Sequence, residues 1–358
     1  MRRTTCALFL VVLASTAYPA ERWPGTTWDT VSDPSTLGYS RAGLERAVSI
    51  ARGLKTSAFM VVVDGRLLFD YGDTSELSYV ASVRKSILSM LYGKYVEDGT
   101  VHIDRTLAEL GINDVGGLMD IERTATIENL LGARSGVFHP ASYPGDALAF
   151  APPRGSQKPG TYYLYSNWDF NVLGTIFEQE THRNIYDALQ TDIAQPIGMQ
   201  DYDRSRQQKE GRDEVSIHKA YPIDVSTRDM ARIGLLMLRE GRWRDRQVIP
   251  RAWVHLSSRL ITRHREINPE LWQWTTGHAG YGYLWWVEDR DDPNDPLYGA
   301  YSARGAFGQF IYVIPKMDMV VAHKVVRCQG SARDALVQWE EFEKLLNAIV
   351  AARTVGQP

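Results

Sequence analysis

The chain has 358 residues, 44% of them hydrophobic and 23% charged, with a formal net charge of −3. That composition is globular and supplies the core of one large or two moderate domains. It shows no basic stripe, which argues against a nucleic-acid partner.

In chain order, Met1-Arg2-Arg3 is followed by "TTCALFLVVLASTA" and Tyr18-Pro19-Ala20. A basic start, a short apolar run and small residues have the form of a secretory signal peptide. Cleavage is expected after Ala17, with Ser15 at −3, or after Ala20, which places the mature protein in the periplasm or outside the cell. The apolar run falls short of the ~20 residues of a spanning helix, so no stable membrane insertion is expected after cleavage. Loss of Arg2 and Arg3 takes the charge from −3 to −5. Cys6 goes with them, and Cys328 is left without an internal disulfide partner, as a buried structural thiol.

Residues 21–36 are rich in Pro and Asp and read as surface chain. Ser40 then caps "RAGLERAVSIARGL", where Leu44, Ala47, Val48 and Ala51 fall at helical spacing. In "SAFMVVVDGRLLFDYG", Asp64-Gly65 between two apolar runs is a hairpin signal, because both central positions need positive φ. From Ser82 to Asp98 the pattern is helical, with Val83, Ile87, Met90 and Leu91 on one side and Gly99 as the stop. Shorter helices follow to about residue 245: "TIENLLGAR", "DFNVLGTIFEQET", "IYDALQTDIA" and "TRDMARIGLLMLREG". Strand patterns return in "GYGYLWWVED", "LYGAYSA", "QFIYVIP" and "MVVAHKVV", the last two joined by a turn at Pro315–Asp318. An amphipathic segment, "ARDALVQWEEFEKLLNAIVAA", closes the chain. These runs predict an α+β protein. One sheet is built from 37–78 and 246–358, a mainly helical domain spans 79–245, and a cleft opens where they meet.

Ser82 opens its helix at that junction, with Lys85 three residues on. Ser-x-x-Lys occurs twice, and as a short motif it carries a high chance-match rate. Ser216-Ile217-His218-Lys219 follows a charged run and precedes Tyr221-Pro222, which marks it as loop or short strand. At the first copy, residues i and i+3 are neighbours on a helix, so Lys85 reaches the Ser82 hydroxyl. The Ser82 N–H points out of the helix end, where an oxyanion can be held, and apolar surroundings suit the lysine to act as a base. The plain alternative is a serine cap with a solvated lysine. A third element is Tyr165-Ser166-Asn167, at the start of a helix after Pro159-Gly160. Taken alone it also reads as an aromatic anchor and an N-cap.

Ser82-x-x-Lys85 followed some 80 residues later by Tyr165-x-Asn167 resembles the serine β-lactamase and penicillin-binding-protein superfamily. The resemblance is nearest to class C β-lactamases and the related esterases, D-amino-acid peptidases and aminohexanoate-oligomer hydrolases. It runs over about residues 38–350. "LLGARSGVFHP" is similar to the family's Ser-Gly turn, and "GTIFEQETHRNIYDALQTDIAQPIGMQD" to the helix pair after the tyrosine motif. The resemblance implies a β-lactamase/transpeptidase-like fold, with an antiparallel sheet from both chain ends and a helical insertion. It implies a serine hydrolase that needs no metal or cofactor and acts on a small ester, amide or peptide-like substrate. Ser82 would be the nucleophile, Lys85 and Tyr165 a coupled proton-transfer pair, and Asn167 would hold the substrate amide or the lysine.

The family's Lys-Thr-Gly or His-Thr-Gly strand falls, without gaps, on Ala303-Arg304-Gly305. Ala306 then supplies the second oxyanion N–H and Arg304 is a candidate for a substrate carboxylate. Ala300-Tyr301-Ser302 is a competing placement, and His278-Ala279-Gly280 a weaker mimic. Either strand placement lacks the family's Lys or His, so esters or small amides are expected to outperform β-lactams. Trp272, Trp274, Tyr283, Trp285 and Trp286 read as core and cleft wall. No His-x-His, His-Glu-x-x-His, Gly-x-Ser-x-Gly or phosphate loop is present. A true β-lactamase or D-amino-acid peptidase, and a non-catalytic binder of cell-wall peptides with the same fold, are the alternatives.

Overall fold

The computed structural model describes residues 21–143, 147–267, 278–326 and 336–354. The expected signal peptide, Cys6, Trp272, Trp274 and Cys328 lie outside the described residues. No helix among those described is long and apolar enough to cross a membrane.

α1 (Arg41–Gly53) starts at Ser40, whose hydroxyl accepts from the Gly43 N–H at 3.3 Å. β1 (Ala58–Val63) and β2 (Arg66–Gly72) form the predicted hairpin, and Asp64 and Gly65 have φ of 52° and 67°. β3 (Ser78–Tyr79) leads into α2 (Val83–Glu97). Next come α3 (Ile127–Leu131), α4 (Asn167–Thr181), α5 (Ile185–Ala188), a π-helical stretch (Leu189–Ala194) and α6 (Gln195–Ile197). β4 (Asp224–Val225) pairs with β3 and precedes α7 (Thr227–Leu238), the small hairpin β5 (Arg242–Trp243) and β6 (Arg246–Gln247), and α8 (Arg251–Ser257). "GYGYLWWVED" holds two short strands where a single run was expected. β7 (Ala279–Tyr281) and β8 (Trp286–Glu288) are joined by a turn in which the Gly282 N–H donates to the Trp285 carbonyl at 2.8 Å. β9 (Tyr301–Gly305), β10 (Gln309–Ile314), β11 (Met319–Lys324) and α9 (Trp339–Ala351) complete the chain.

The main sheet is antiparallel, in the order β2-β1-β11-β10-β9-β8-β7, so its centre joins a strand from near the start of the chain to one from near its end. Alternation along each strand separates two cores. Phe59, Val61, Phe310, Tyr312 and Val321 face α1 and α9, while Met60, Val62, Ile311, Val313, Val320 and Ala322 face the helical segment. α7 lies on that second face, where Gly234 leaves room for Val320 and Ile311; a Cβ there would stand 2.4 Å from the Val320 side chain.

α2 runs through the interior between the sheet and the helices. Val83 to Gly93 are all buried, as expected of a helix with neighbours on every side. Its polar residues are tied to backbone carbonyls: Ser86 donates to Leu284 at 2.6 Å, Ser89 to Tyr283 at 2.7 Å and Tyr92 to Leu173 at 2.6 Å. Those bonds fix the rotation of the helix, and with it the direction of its first turn.

Candidate active site

β3 reaches α2 through Val80 and Ala81. The Val80 N–H donates to the Ile223 carbonyl at 3.0 Å, and Ala81 takes a left-handed φ of 48°. A non-glycine residue there costs ~1–2 kcal/mol, and such strain is kept where the fold must present a side chain at one angle. The residue presented is Ser82. It stands at the N-cap position of α2 but makes no capping bond with its side chain. Lys85 is 1% exposed. The plain reading of a cap and a solvated lysine therefore fails on both counts.

The Lys85 Nζ donates to Ser82 Oγ at 2.9 Å and to Tyr165 Oη at 2.7 Å. It also lies 4.1 Å above the Tyr165 ring and 4.4 Å above the Phe170 ring. Ser82 and Tyr165 keep part of their surface accessible while the amine between them is enclosed. The amine is thus shielded from water by two partly buried residues.

Tyr165 is clamped by aromatics. Trp286 of β8 stacks on it at 5.6 Å with 26° between planes, and Phe170 and Tyr281 meet it edge-on at 4.9 and 6.2 Å. Burial pushes its phenol well above the ordinary tyrosine value, against the lowering effects of Ser82 and of the Arg84 charge. Asn167, buried, is the first residue of α4, two positions on.

β9 approaches from the sheet side. Its ladder with β8 covers Tyr301 and Ser302 and ends there, while Gly305 comes up against the Val80–Ser82 turn. A Cβ on Gly305 would lie 2.5 Å from the Val80 carbonyl oxygen and 3.1 Å from the Ser82 nitrogen. Gly305 is therefore the residue of β9 that stands beside Ser82, and Ala306 follows it in the chain. Ala300-Tyr301-Ser302 lies back along the strand, opposite Val287 and Trp286, and His278-Ala279-Gly280 belongs to the far edge of the sheet.

Arg304 requires a correction. Strand alternation turns its side chain to the face opposite Gly305, the face that α9 covers. There its guanidinium lies 3.6 Å over the Trp339 ring, Nε donates to Ser302 Oγ at 2.9 Å and Nη2 to Glu288 at 3.2 Å. It is buried in that network, away from the position of a carboxylate-binding group at Ser82.

The second Ser-x-x-Lys is a loop in which Ser216 and His218 are buried while Ile217 and Lys219 are exposed. Ser216 donates to Asp114 at 2.5 Å, as do the Trp168 indole at 2.6 Å and the Ile217 N–H at 2.9 Å. Burial raises the Asp114 carboxyl, but these donors together outweigh it and hold the value below the usual range. Lys219 pairs with Asp213. Arg84, between Ser82 and Lys85, went unremarked in the sequence, where a charge on a first turn reads as solvated. It is 3% exposed.

A cavity of about 590 Å³ flanks the β3–β4 pair, lined among others by Ser78, Tyr79, Tyr143, Glu210 and Asp224. Among the described residues no group of three or more His, Cys, Asp or Glu is placed to hold a metal.

The fold is shared with solved structures at low identity. A penicillin-binding-protein homologue from Caulobacter crescentus superposes with a TM-score of 0.61 at 17% identity, covering 91% of this chain and 99% of that one. EstCE1, described as a hydrolase with promiscuous acyltransferase activity, gives 0.63 at 14%, covering 86% and 98%. A β-lactamase from Mycobacterium bovis gives 0.58 at 19%, covering 86% and 100%. No curated protein matches the sequence significantly. The beta-lactamase family model matches residues 42–339, a span that holds Ser82, Lys85, Tyr165 and Gly305, and the chain belongs to that family.

Proposed function

We propose that the protein is a serine hydrolase that cleaves an ester or amide through an acyl-enzyme on Ser82. The observation that carries this reading is the enclosed Ser82–Lys85–Tyr165 chain, with links of 2.9 and 2.7 Å. In the reactive form the neutral Lys85 amine accepts the Ser82 proton while Oγ bonds to the substrate carbonyl carbon. The carbonyl π electrons move to oxygen, and the resulting oxyanion rests against the Ser82 and Ala306 N–H groups. Each such donor is worth ~3–4 kcal/mol in hydrolases generally.

Because burial keeps the Tyr165 phenol protonated, it suits the second half of the step. It gives its proton to the departing alkoxide or amine and is restored from the Lys85 ammonium. Water then attacks the acyl carbon, the same pair takes its proton, and Ser82 leaves as the hydroxyl. Asn167 would hold the substrate amide or the lysine. Export to the periplasm or beyond belongs to the same reading, on the form of the first 20 residues.

The test is labelling with a fluorophosphonate, followed by peptide mapping and a panel of p-nitrophenyl esters, nitrocefin and D-amino-acid anilides. Stoichiometric modification at Ser82 together with turnover of an ester or anilide supports the proposal. Unlabelled Ser82 and no turnover anywhere would leave a non-catalytic binder.

A further inference from the structure

Arg84 sits between the two residues of the Ser-x-x-Lys motif, yet its side chain leaves their face of the helix. It enters the interior between α2, α4 and the segment before β4. There Nη2 donates to Asn171 Oδ1 at 3.1 Å, and the guanidinium carbon lies 4.2 Å over the Tyr221 ring. Nη1 is buried and has no hydrogen-bond partner. Among the described residues no carboxylate is paired with it, whereas the likewise buried Arg304 is paired with Glu288. Burying a cation without an anion costs several kcal/mol, where a methionine would fill the space at no such cost. A guanidinium carries its charge throughout the working pH range, so the charge at this point is permanent.

We infer that Arg84 is a positioning residue for the Ser82–Lys85–Tyr165 chain: an uncompensated buried cation, one residue from the lysine, that biases the chain toward its proton-accepting form. The inference rests on the acyl-enzyme reading above. A fixed positive charge favours the neutral amine over ammonium and phenolate over phenol. It thereby opposes the burial that raises the Tyr165 phenol.

The groups that share this interior are Ser82 before α2 and Lys85 on it, Tyr79 of β3, Asp169 of α4, Tyr186 of α5, Tyr281 of β7, and Tyr163 and Tyr221 from connecting segments. Asp169 accepts from Ser135 at 2.7 Å, Glu210 lies toward Tyr79, and Glu178 lies toward Tyr186. For Tyr79, Tyr186 and Tyr221, as for Tyr165, burial raises the phenol and the Arg84 charge pulls the other way. The positive charge is therefore set among phenols rather than beside a carboxylate that would cancel it.

The test compares wild type with Arg84→Met and Arg84→Lys in the full chain. It reads the pH dependence of fluorophosphonate labelling at Ser82, and the ¹⁵N shift of Lys85 Nζ in lysine-labelled protein, assigned with Lys85→Arg. The expected result for Arg84→Met is a labelling limb and a lysine midpoint moved about one pH unit upward, so that labelling at pH 7 falls roughly tenfold and recovers at high pH. Arg84→Lys returns both toward wild type. An Arg84→Met protein whose rate drops equally at all pH values, with an unmoved lysine midpoint, would overturn the inference and leave Arg84 a tie between α2 and α4. A moved lysine midpoint in a protein whose Ser82 is never labelled would uphold the electrostatic role and remove the hydrolase reading instead.

Discussion

Lys85 Nζ lies 2.7 Å from Tyr165 Oη and 2.9 Å from Ser82 Oγ, and Lys85 is 1% exposed, so the enclosed amine is the middle of a proton path between the two hydroxyls. Residues that act as one unit in proton transfer are non-additive. Tyr165→Phe and Lys85→Ala should each lower kcat by ~10²–10⁴, and the double variant should be only slightly worse than either single. Tyr165→Phe keeps the ring stacked on Trp286, so its folding should be intact. Normal turnover in that variant would remove the tyrosine hydroxyl from the mechanism.

The two copies of Ser-x-x-Lys separate by measurement. Ser82→Ala should abolish turnover and leave the protein folded: the side chain makes no capping bond, and its loss costs the buried Lys85 one acceptor while the bond to Tyr165 remains, ~1–3 kcal/mol at most. Ser216→Ala should keep kcat within about twofold but lose ~1–3 kcal/mol of stability, because it strips a donor from the buried Asp114 carboxylate. A dead Ser216→Ala enzyme with normal stability would reassign the nucleophile.

That contrast also shows how much the sequence carried. Helical spacing and one Asp-Gly turn were enough for α1, α2 and the first hairpin, because local periodicity and φ preferences determine them. The pairing of β1 with β11 was legible only as strands near both ends, since register is set by contacts more than 250 residues apart. That Ser82, Lys85 and Tyr165 would come together was legible because motif and helical spacing coincide there. Arg304 was misread because a side chain's face depends on strand phase, and the phase on pairing with β8 and β10. Ser216 was recognised as a loop residue, but its partner Asp114, about 100 residues away, gave no local signal. Arg84 was invisible because burial of a charge runs against every compositional rule.

Substrate preference follows from β9. The side that meets Ser82 presents Gly305, with Ala303 in the same strand phase, and Arg304 is turned to α9. A charge-assisted hydrogen bond to a substrate carboxylate is worth ~1.5–3 kcal/mol, about ten- to a hundredfold. We expect kcat/KM for p-nitrophenyl acetate or butyrate to exceed that for nitrocefin by at least about tenfold. A nitrocefin value equal to or above the ester value would contradict this.

His323 makes stability pH-dependent near the same turn. Burial lowers its imidazole to about 4, and its ring nitrogens face the Gly308 carbonyl at 2.7 Å and the Thr56 hydroxyl at 2.9 Å. The unfolded chain takes up the proton near pH 6.5, so the folded state loses relative stability as pH falls from 6.5 toward 4. The loss should be ~2 kcal/mol between pH 7 and 5. Denaturant melts at both pH values for wild type and His323→Gln isolate the contribution, because the other groups titrate alike in both. Equal pH slopes would show that His323 accepts its proton without cost to the fold.

Gly305→Ala tests whether this end of β9 sets the geometry at the nucleophile. The added methyl would meet the Val80 carbonyl oxygen at 2.5 Å and the Ser82 nitrogen at 3.1 Å, both backbone atoms that no rotamer change can move aside. Val80 cannot yield easily, since its N–H is bonded to Ile223 and its carbonyl accepts from Val83 at 3.1 Å. The strand end or the Ala81 turn must shift instead, and with it the spacing between the Ser82 and Ala306 N–H groups. A displacement of about 1 Å at a catalytic constellation costs on the order of 10²-fold. A shift of a few tenths of an ångström should therefore lower kcat/KM by at least about tenfold, with a melting temperature only a few degrees down. Gly53→Ala is the control: nothing lies within 4 Å of its added methyl, and its backbone is helical. That variant should be as active as wild type and slightly more stable. If Gly305→Ala kept activity within twofold, the oxyanion would not be held at this end of β9, and the Ala300–Ser302 placement would have to be tested in its place.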